Sequence, residues 1–337
     1  MSIPTPPVTP ERIMQFAWGY VPPLILEAAI HHRIFDLLDA GPKTVHDIHL
    51  STTASERGLT AIMNALVGLN FLQKDQQGYF SLTPESTAFL VSTKPSFQGG
   101  VIRNTSTHLL PKWLQLNEIV ATGKPAQSVN QEHAGSEFFQ KFVNDLFPMN
   151  YPAAQALAQH LNGAAGNPPR VLDLAAGSGV WGIALAQNFE QAHVTVVDWP
   201  DVISVTRQTV ARFGLSRRFS FIEGDLLQTN FGVNHAVATL GHILHSEGQA
   251  RSRALLAKTF QALASGGTIA IAEFLVNQDR TGPLNGLFFA VNMLVNTDNG
   301  ATFSFEEIST WLTLAGFTNA RTLESPGPSP LILATKP

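Results

Sequence analysis

The sequence predicts an α/β protein in which a mostly parallel sheet follows a smaller helical module. Beyond residue 170, short apolar segments alternate with helical ones, which is typical of parallel strands covered by helices on both faces. A glycine-rich stretch joins the first of these strands to the first helix. Two final apolar segments, separated by SPGPSP, predict an antiparallel strand pair at one edge of the sheet.

The N-terminal third has the order helix, helix, helix, hairpin, which is the pattern of a winged helix. Apolar periodicity predicts helices over 22–41, 44–52 and 55–71, with Ser55 as the N-cap of the third. Residues 71–84 predict a short hairpin that turns at Gly78.

A connecting region precedes the alternating segments. It is expected to be helical with breaks near Pro111, Pro125 and Pro148, and to end in a loop over 162–169. The predicted domains are a winged helix at 1–100, connecting helices at 101–165 and a cofactor-binding domain at 166–337. In the last domain the predicted strands are 170–175, 193–199, 219–224, 235–241, 268–275, 318–324 and 331–336, and the helices are 179–189, 201–214 and 248–267.

Composition narrows the class of protein. The chain has 337 residues, of which 44% are hydrophobic and 14% charged, and this is typical of a compact globular protein. Its formal net charge of -4 and a candidate recognition helix whose one basic residue, Arg57, stands beside Glu56 argue against nucleic-acid binding. There is no cysteine, which excludes disulfides and thiolate chemistry. The N-terminus has no signal-peptide pattern, and we find no apolar run near the roughly 18 residues of a membrane helix, so we expect a cytoplasmic protein with no membrane contact.

The glycine-rich stretch predicts a nucleotide-type ligand site. Gly177, Gly179 and Gly182 form a G-x-G-x-x-G pattern that follows a strand and opens a helix. Glycines permit a tight turn and a close approach of the backbone to a ligand. Two ligands compete on this pattern alone, a nicotinamide dinucleotide and the adenosyl group of S-adenosylmethionine.

Three carboxylates favour S-adenosylmethionine. Asp173 lies in the strand before the glycines, Asp198 ends the next strand and Asp225 follows the third. Asp173 could reach a bound ammonium group or the loop's own amides, Asp198 suits the ribose hydroxyls and Asp225 an adenine amino group, whereas a pyrophosphate gains nothing from a nearby anion. The alternative is that each acid caps a helix or loop. The last tyrosine is Tyr151, so the cofactor domain also lacks the tyrosine acid of a short-chain dehydrogenase.

The ordered motifs resemble a known family over nearly the whole chain. VLDLAAGSG, VVDWPDV, FIEGDLL, LGHILHSEG, IAIAEFL and FSFEEISTWLTLAGF follow one another behind a winged helix. In this they resemble the class I S-adenosylmethionine-dependent O-methyltransferases, in the branch with caffeic-acid-type, acetylserotonin and bacterial natural-product enzymes. The resemblance implies a Rossmann-like methyltransferase fold behind a winged-helix dimerisation domain, a homodimer, a small-molecule acceptor and conversion of S-adenosylmethionine to S-adenosylhomocysteine.

The resemblance also implies the catalytic pair. The family carries its base in a Leu-x-x-x-x-His segment, which here runs from Leu240 to His245. His245 is thus expected to take the proton from an acceptor hydroxyl, with Glu273 orienting the imidazole. Two alternatives stay open: a core histidine beside a capping glutamate, and a metal site that includes His242 and Glu247.

Together, the motifs and the resemblance define two sets of expected contacts, one for the cofactor and one for the acceptor. The expected cofactor contacts are Asp173, Ala175, Gly177, Gly179, Asp198, Trp199, Gly224, Asp225, Leu226, Gly241 and His242. The expected acceptor contacts are Phe142, Met149, Phe289, Asn292, Met293 and Asn296, which suit a flat, mostly apolar molecule with a hydroxyl. For the phenylalanines, ordinary core packing is the competing interpretation.

The sequence also departs from the family pattern at several positions. Ala175 replaces a glycine, Gly241 replaces a basic residue, Ser246 and Glu247 replace Asp-Trp, and Thr302 stands where a second glutamate is expected. A non-methylating enzyme on the same scaffold, such as a decarboxylase, hydroxylase or cyclase, is therefore an alternative. A winged-helix regulator that senses S-adenosylmethionine is a second one.

Overall fold

A computed structural model describes residues 8–125, 128, 132–165 and 170–337, with the backbone alone at 132–141 and 163–165. The chain divides into two compact units, Met1–Pro111 and Lys112–Pro337. The loop expected at 162–169 is helical as far as Ala165, and its last four residues lie outside the described part. The division into parts at 1–100, 101–165 and 166–337 stays a prediction.

The first unit is a helical module with a short hairpin. Its elements are α1 (Glu11–Ala17), α2 (Val21–His31), α3 (Ile34–Asp39), α4 (Val45–Leu50), α5 (Glu56–Gly68), β1 (Leu72–Lys74), β2 (Phe80–Leu82), α6 (Pro84–Phe89) and α7 (Gly99–Asn104). β1 and β2 pair antiparallel, as the hairpin prediction requires. Phe35, Met63, Leu66 and Phe80 are buried in its core.

Local capping explains two features of this unit. The helix expected at 22–41 is split into α2 and α3, because Arg33 adopts a left-handed φ of 56°. Ser55 caps α5 as predicted, since its hydroxyl accepts a hydrogen bond from the Gly58 N–H at 3.2 Å.

The second unit contains the large sheet and its helices. Its elements are α8 (Leu110–Trp113), α9 (Leu116–Thr122), α10 (Glu132–Ala165), β3 (Arg170–Leu174), α11 (Val180–Asn188), β4 (His193–Asp198), α12 (Pro200–Arg212), β5 (Phe219–Glu223), β6 (His235–Gly241), α13 (Leu244–Ala262), β7 (Leu263–Ala272), α14 (Leu284–Asn296), α15 (Phe305–Ala315), β8 (Thr318–Leu323) and β9 (Leu331–Thr335). α8 begins at Leu110, just before the boundary of the unit. The break expected at Pro148 is wrong: α10 continues through both Pro148 and Pro152.

The seven-stranded sheet confirms the predicted fold class. Its strand order is β5-β4-β3-β6-β7-β9-β8, parallel from β5 to β7 and antiparallel at β9 and β8. One core lies between the sheet, α10 and α11, and the other between the sheet, α13 and α15. The chain runs outward from β3 in both directions, so the carboxyl ends of β3 and β6 form the switch point at which α/β proteins bind ligands.

One N-terminal segment corrects the expectation about apolar runs. Among the described residues, the helical stretch Glu11–His31 is long and apolar enough to cross a membrane by length and composition. Its first helix is exposed in the single chain, whereas most of α2 is partly buried. A single such helix near an N-terminus is weak evidence for a membrane span, because core helices of soluble proteins and signal sequences can have the same length and apolar composition.

Candidate active site

The glycine loop between β3 and α11 is built from left-handed backbone. Ala175, Gly177 and Gly179 have φ values of 52°, 56° and 79°. A side chain on Gly179 would begin 2.9 Å from the Thr206 methyl group, and the Thr206 hydroxyl donates a hydrogen bond to the Gly177 carbonyl at 2.7 Å. The loop is therefore held close to α12. Ala175 carries strain that a glycine would avoid.

Asp198 lies at the end of β4 beside this loop. Its carboxylate accepts hydrogen bonds from the Gly177 N–H and the Trp199 N–H, both at 2.8 Å. Burial raises the pKa of Asp198 to about 6, against the opposing effect of these two hydrogen bonds. The Gly224 N–H donates to the Asp198 carbonyl at 2.9 Å, which brings the end of β5 to the same edge. An acid so placed fits a ribose and disfavours a phosphate.

Asp173 is fully buried beneath the loop. Its two oxygens accept hydrogen bonds from the Gly182 N–H at 2.9 Å and the Thr239 hydroxyl at 2.7 Å. Burial raises its pKa to about 7, although both hydrogen bonds act in the other direction. The carboxylate thus ties β3 to α11 and β6, so its contact with a ligand amine stays a prediction.

Asp225 follows β5 and is joined to the segment after β6. Its carboxylate accepts from the Leu227 N–H at 2.8 Å and pairs with Arg251 at 2.7 Å. Arg251 also pairs with Glu247. Glu247, one of the departures from the family pattern, therefore belongs to an ion-pair network at this edge. The next residue, Leu226, is packed in the core on the α13 side of the sheet.

His245 and Glu273 form a buried pair. The His245 Nδ1 and a Glu273 carboxylate oxygen are 2.7 Å apart, and the two residues are 7% and 2% exposed. Gly248, with φ 71°, breaks α13 and isolates the turn that carries His245. The His245 carbonyl accepts from the Ala301 N–H at 2.8 Å, which fixes that turn.

The charge state of this pair follows from its surroundings. Burial raises the pKa of Glu273, but the charges of His245 and His242 and the hydrogen bonds from His245 outweigh it, so the pKa lies below its usual value. Glu273 is therefore ionised near neutrality, and a buried carboxylate in contact with an imidazole stabilises the positive charge formed when the ring takes a proton.

His242 lies nearby in a different setting. It has a left-handed φ of 60°, and its Nε2 is 2.9 Å from the Ser329 hydroxyl in the turn between β8 and β9. Burial lowers its pKa to about 4, so the ring is neutral near pH 7. A neutral, hydrogen-bonded ring fits a wall of the site better than a second base. Gly241, one residue earlier, lies against the indole of Trp181.

Aromatic rings surround the histidine pair. The Phe289 ring meets the His245 ring edge-on, with centroids 4.7 Å apart. Phe274 stacks on Phe289 at 4.0 Å and lies 5.1 Å from His242. This cluster makes the region around the imidazoles apolar and flat.

The predicted amides of α14 are engaged within the protein. The Asn296 side-chain oxygen accepts from Lys112 at 3.1 Å, and the Asn292 side-chain oxygen accepts from the Trp113 indole at 3.3 Å. Asn296 also donates to Asn292. Met293, between them, is 5% exposed. Whether these residues touch an acceptor stays a prediction.

The other predicted wall lies on α10. Phe142 and Met149 are both partly buried there. Val143 lies beside the glycine loop, since its side chain is 3.4 Å from where a side chain on Gly177 would begin. Trp199 packs with Val143 in a small cluster that also contains residues of α12.

Sequence reasoning missed several residues that hold the site together: Trp181, Thr206, Thr239, Arg251, Phe274 and Ser329. Phe274 had a signal, because it directly follows Glu273 at the end of a strand. The hydroxyl groups of Thr206, Thr239 and Ser329 gave no such signal, since each bonds a residue far away in sequence.

The metal alternative finds no support in the described part of the chain. There, no group of three or more His, Asp or Glu side chains is arranged to hold a metal ion. His245 and His242 instead face Glu273 and Ser329.

The fold and the site define a class I S-adenosylmethionine-dependent methyltransferase. The glycine loop and strand-end acids suit a ligand with a ribose and no phosphate, and the buried His–Glu pair lies at the same edge of the sheet. Sequence models of an O-methyltransferase domain and an O-methyltransferase dimerisation domain match residues 116–318 and 14–92. The chain belongs to this O-methyltransferase family, and its cofactor is S-adenosylmethionine.

Individual relatives agree over most of the chain. A 3-hydroxy-5-methyl-1-naphthoate 3-O-methyltransferase of Streptomyces sahachiroi is 28% identical, covering 98% of this chain and 97% of the relative. Acetylserotonin O-methyltransferase of Gallus gallus is 26% identical, covering 91% and 92%. A solved structure from Nostoc punctiforme PCC 73102 superposes with a TM-score of 0.90 at 26% identity, covering 98% and 100%. Human N-acetylserotonin methyltransferase, solved with S-adenosylmethionine, has the same fold, with a TM-score of 0.86 at 22% identity over 99% of both chains.

Proposed function

We propose that this enzyme methylates a hydroxyl group on a small aromatic or polyketide-like acceptor, with His245 as the general base. The observation that carries the proposal is the buried 2.7 Å contact between His245 Nδ1 and Glu273. With Nδ1 held by a carboxylate, Nε2 is the nitrogen that accepts a proton. Among the described residues no hydrogen bond engages that nitrogen, so it is available to an acceptor hydroxyl.

The chain's own residues supply binding, alignment and proton transfer. S-adenosylmethionine provides the electrophilic methyl group when bound. We assign the ribose to Asp198 and the adenine edge to Asp225 with Gly224 and Leu226. His242 and Gly241 border the methionyl end, together with the glycine loop at Ala175–Gly179 and with Trp199. General-base assistance by His245 contributes about 10²–10⁴-fold, and Glu273 stabilises the imidazolium that His245 becomes.

The aromatic cluster supports a flat acceptor. Phe274 and Phe289 stack at 4.0 Å beside His245, and this surface suits a planar ring whose hydroxyl points at the imidazole. Two relatives act, by their names, on a hydroxynaphthoate and on acetylserotonin, which are planar aromatic acceptors. We assign Phe142, Met149, Asn292, Met293 and Asn296 to the remaining wall of the acceptor site.

We further propose that the enzyme works as a homodimer in the cytoplasm. The dimerisation-domain match covers residues 14–92, and the first two helices carry large exposed apolar side chains that a second copy would cover. Residues 14–92 carry four Lys and Arg side chains against seven Asp and Glu side chains, and this negative balance supports no contact with nucleic acid.

Replacement of His245 tests the proposal. His245→Ala is expected to lower methyl transfer to phenolic acceptors by about 10²–10⁴-fold while S-adenosylhomocysteine still binds in calorimetric titration. Wild-type protein that consumes an acceptor without forming S-adenosylhomocysteine would favour a decarboxylase, hydroxylase or cyclase. Undiminished transfer by the variant would remove His245 from the mechanism.

A further inference from the structure

The indole of Trp181 lies at the methionyl end of the proposed cofactor site. Trp181 belongs to the first turn of α11, directly after the glycine loop, and is 4% exposed. Its ring rests on Gly241, because a side chain on that glycine would overlap the indole nitrogen and come within 2.7 Å of Cδ1. The indole thus occupies the space that any other residue at position 241 would need.

The order of strands identifies which part of the cofactor lies there. The adenine is assigned to the end of β5 and the ribose to the end of β4, and the next strands across the sheet are β3 and β6. Gly241 is the last residue of β6, adjacent to the glycine loop that follows β3. The part of the cofactor that extends beyond the ribose, its amino-acid portion, therefore meets this end of the sheet.

The indole N–H of Trp181 is a hydrogen-bond donor that the described part of the chain leaves unused. Among the described residues no hydrogen bond engages the Trp181 Nε1. The enclosed side-chain nitrogen and oxygen atoms without a partner in that part of the chain are Asn150 Oδ1, Arg218 Nε and His235 Nδ1. Trp181 Nε1 is not one of them, so this donor borders accessible space although the ring is buried.

We propose that Trp181 binds the α-carboxylate of the cofactor through its indole N–H. This inference rests on the proposed function and deepens it. An indole nitrogen only donates hydrogen bonds. The ammonium and the sulfonium of the cofactor have no acceptor for it, whereas the carboxylate does. Gly241 is the residue that makes room for the ring. Trp181 is in this sense a binding and positioning residue that fixes the methionyl chain and the methyl group it carries.

Two ligands separate this role from mere packing. S-adenosylhomocysteine carries the carboxylate, whereas 5′-methylthioadenosine has the same adenosyl sulfur but lacks the amino-acid portion. Trp181→Phe keeps an aromatic ring and removes the N–H. Calorimetric titration of this variant is expected to show about tenfold weaker binding of S-adenosylhomocysteine and unchanged binding of 5′-methylthioadenosine, since a hydrogen bond to a charged group is lost only for the first.

The outcomes are distinct. Trp311→Phe is the matched control, because Trp311 is also buried but packs against Phe303 in the core on the other face of the sheet, and it should leave both affinities unchanged. Equal weakening of both ligands by Trp181→Phe, or no weakening of either, would overturn the assignment. Failure of the wild-type protein to bind S-adenosylhomocysteine would instead contradict the proposed function itself.

Discussion

The pair of His245 and Glu273 is the most direct test at the scale of single residues. Glu273→Gln keeps the size of the side chain and removes its charge, so the imidazolium formed during transfer loses its stabilising partner. We expect kcat to fall by at least about tenfold, with the affinity for S-adenosylhomocysteine unchanged. Steady-state kinetics beside calorimetry measure both. An unchanged kcat would mean that Glu273 only supports the fold.

Asp173 makes a prediction about stability and pH. Its pKa is about 7 in the folded protein and about 4 in an unfolded chain, so the folded state holds its proton more tightly. Its contribution to stability is therefore present below pH 4 and is lost as the pH rises towards 7. The Asp173→Asn side chain cannot ionise. Its amide oxygen can still accept from the Gly182 N–H, and its amide nitrogen can donate to the Thr239 hydroxyl.

We therefore expect Asp173→Asn to gain stability relative to the wild type between pH 5 and pH 8. The scale is about 1.4 kcal/mol for each unit of pH over which the folded carboxyl keeps its proton. Urea denaturation at the two pH values gives the difference, and Asp198 is present in both proteins. A difference that does not change with pH would show that Asp173 ionises normally.

At this scale the sequence predicted residue types better than contacts. It placed His245 beside Glu273 through the family pattern, and the structure brings them to 2.7 Å. It expected Asp173 to reach a bound ammonium group or the amides of the glycine loop, and the Gly182 N–H does donate to one of its oxygens. It did not anticipate Thr239, 66 positions away, which takes the other oxygen. Asn296 similarly meets Lys112 across 184 positions. Such partners depend on how strands and helices pack, and one sequence without its fold does not contain that information.

At the scale of elements, the glycine loop depends on how closely α11 and α12 approach. Gly179→Ala would force a left-handed φ on an alanine and place a methyl 2.9 Å from Thr206. Gly214→Ala, at the end of α12, has the same left-handed strain but no atom within 4 Å of the new methyl. The two variants therefore separate backbone strain from the collision.

We expect Gly214→Ala to lower the free energy of unfolding by about 1–2 kcal/mol and to leave cofactor affinity unchanged. Gly179→Ala should cost more stability and also weaken binding of S-adenosylhomocysteine, because the loop must move away from α12. Thermal unfolding and calorimetric titration give the two quantities. Equal effects of the two variants on both would show that the contact with Thr206 does not shape the loop.

Elements were predictable where local chemistry decides them. The strands from 170 onward were found because their apolar runs are short and bounded by turns, and their parallel pairing follows from the alternation with helices. The order of the strands in the sheet was not predicted. Proline misled the prediction at Pro148, since α10 packs along α11 and α12 and tolerates the missing hydrogen bonds. The left-handed φ of Arg33 separates α2 from α3, and no residue pattern in the sequence predicted it.

At the scale of the whole molecule, the first helices pose the remaining question of assembly. Ile13, Met14, Phe16 and Trp18 are each more than half exposed, on a segment that the dimerisation-domain match overlaps. Exposed apolar side chains this close together mark an interaction surface. A second copy of the chain and a membrane surface are the two partners that such a segment suits, and the family match favours the second copy.

Charge placed on this surface distinguishes the two. We expect the wild type to sediment as a dimer. The double variant Ile13→Glu, Phe16→Glu should sediment as a monomer that still binds S-adenosylhomocysteine, because the residues assigned to that ligand belong to the second unit. Leu314→Glu, at an equally exposed position on α15, is the control and should remain dimeric. A wild-type protein that sediments as a monomer but floats with lipid vesicles would assign the segment to a membrane surface instead.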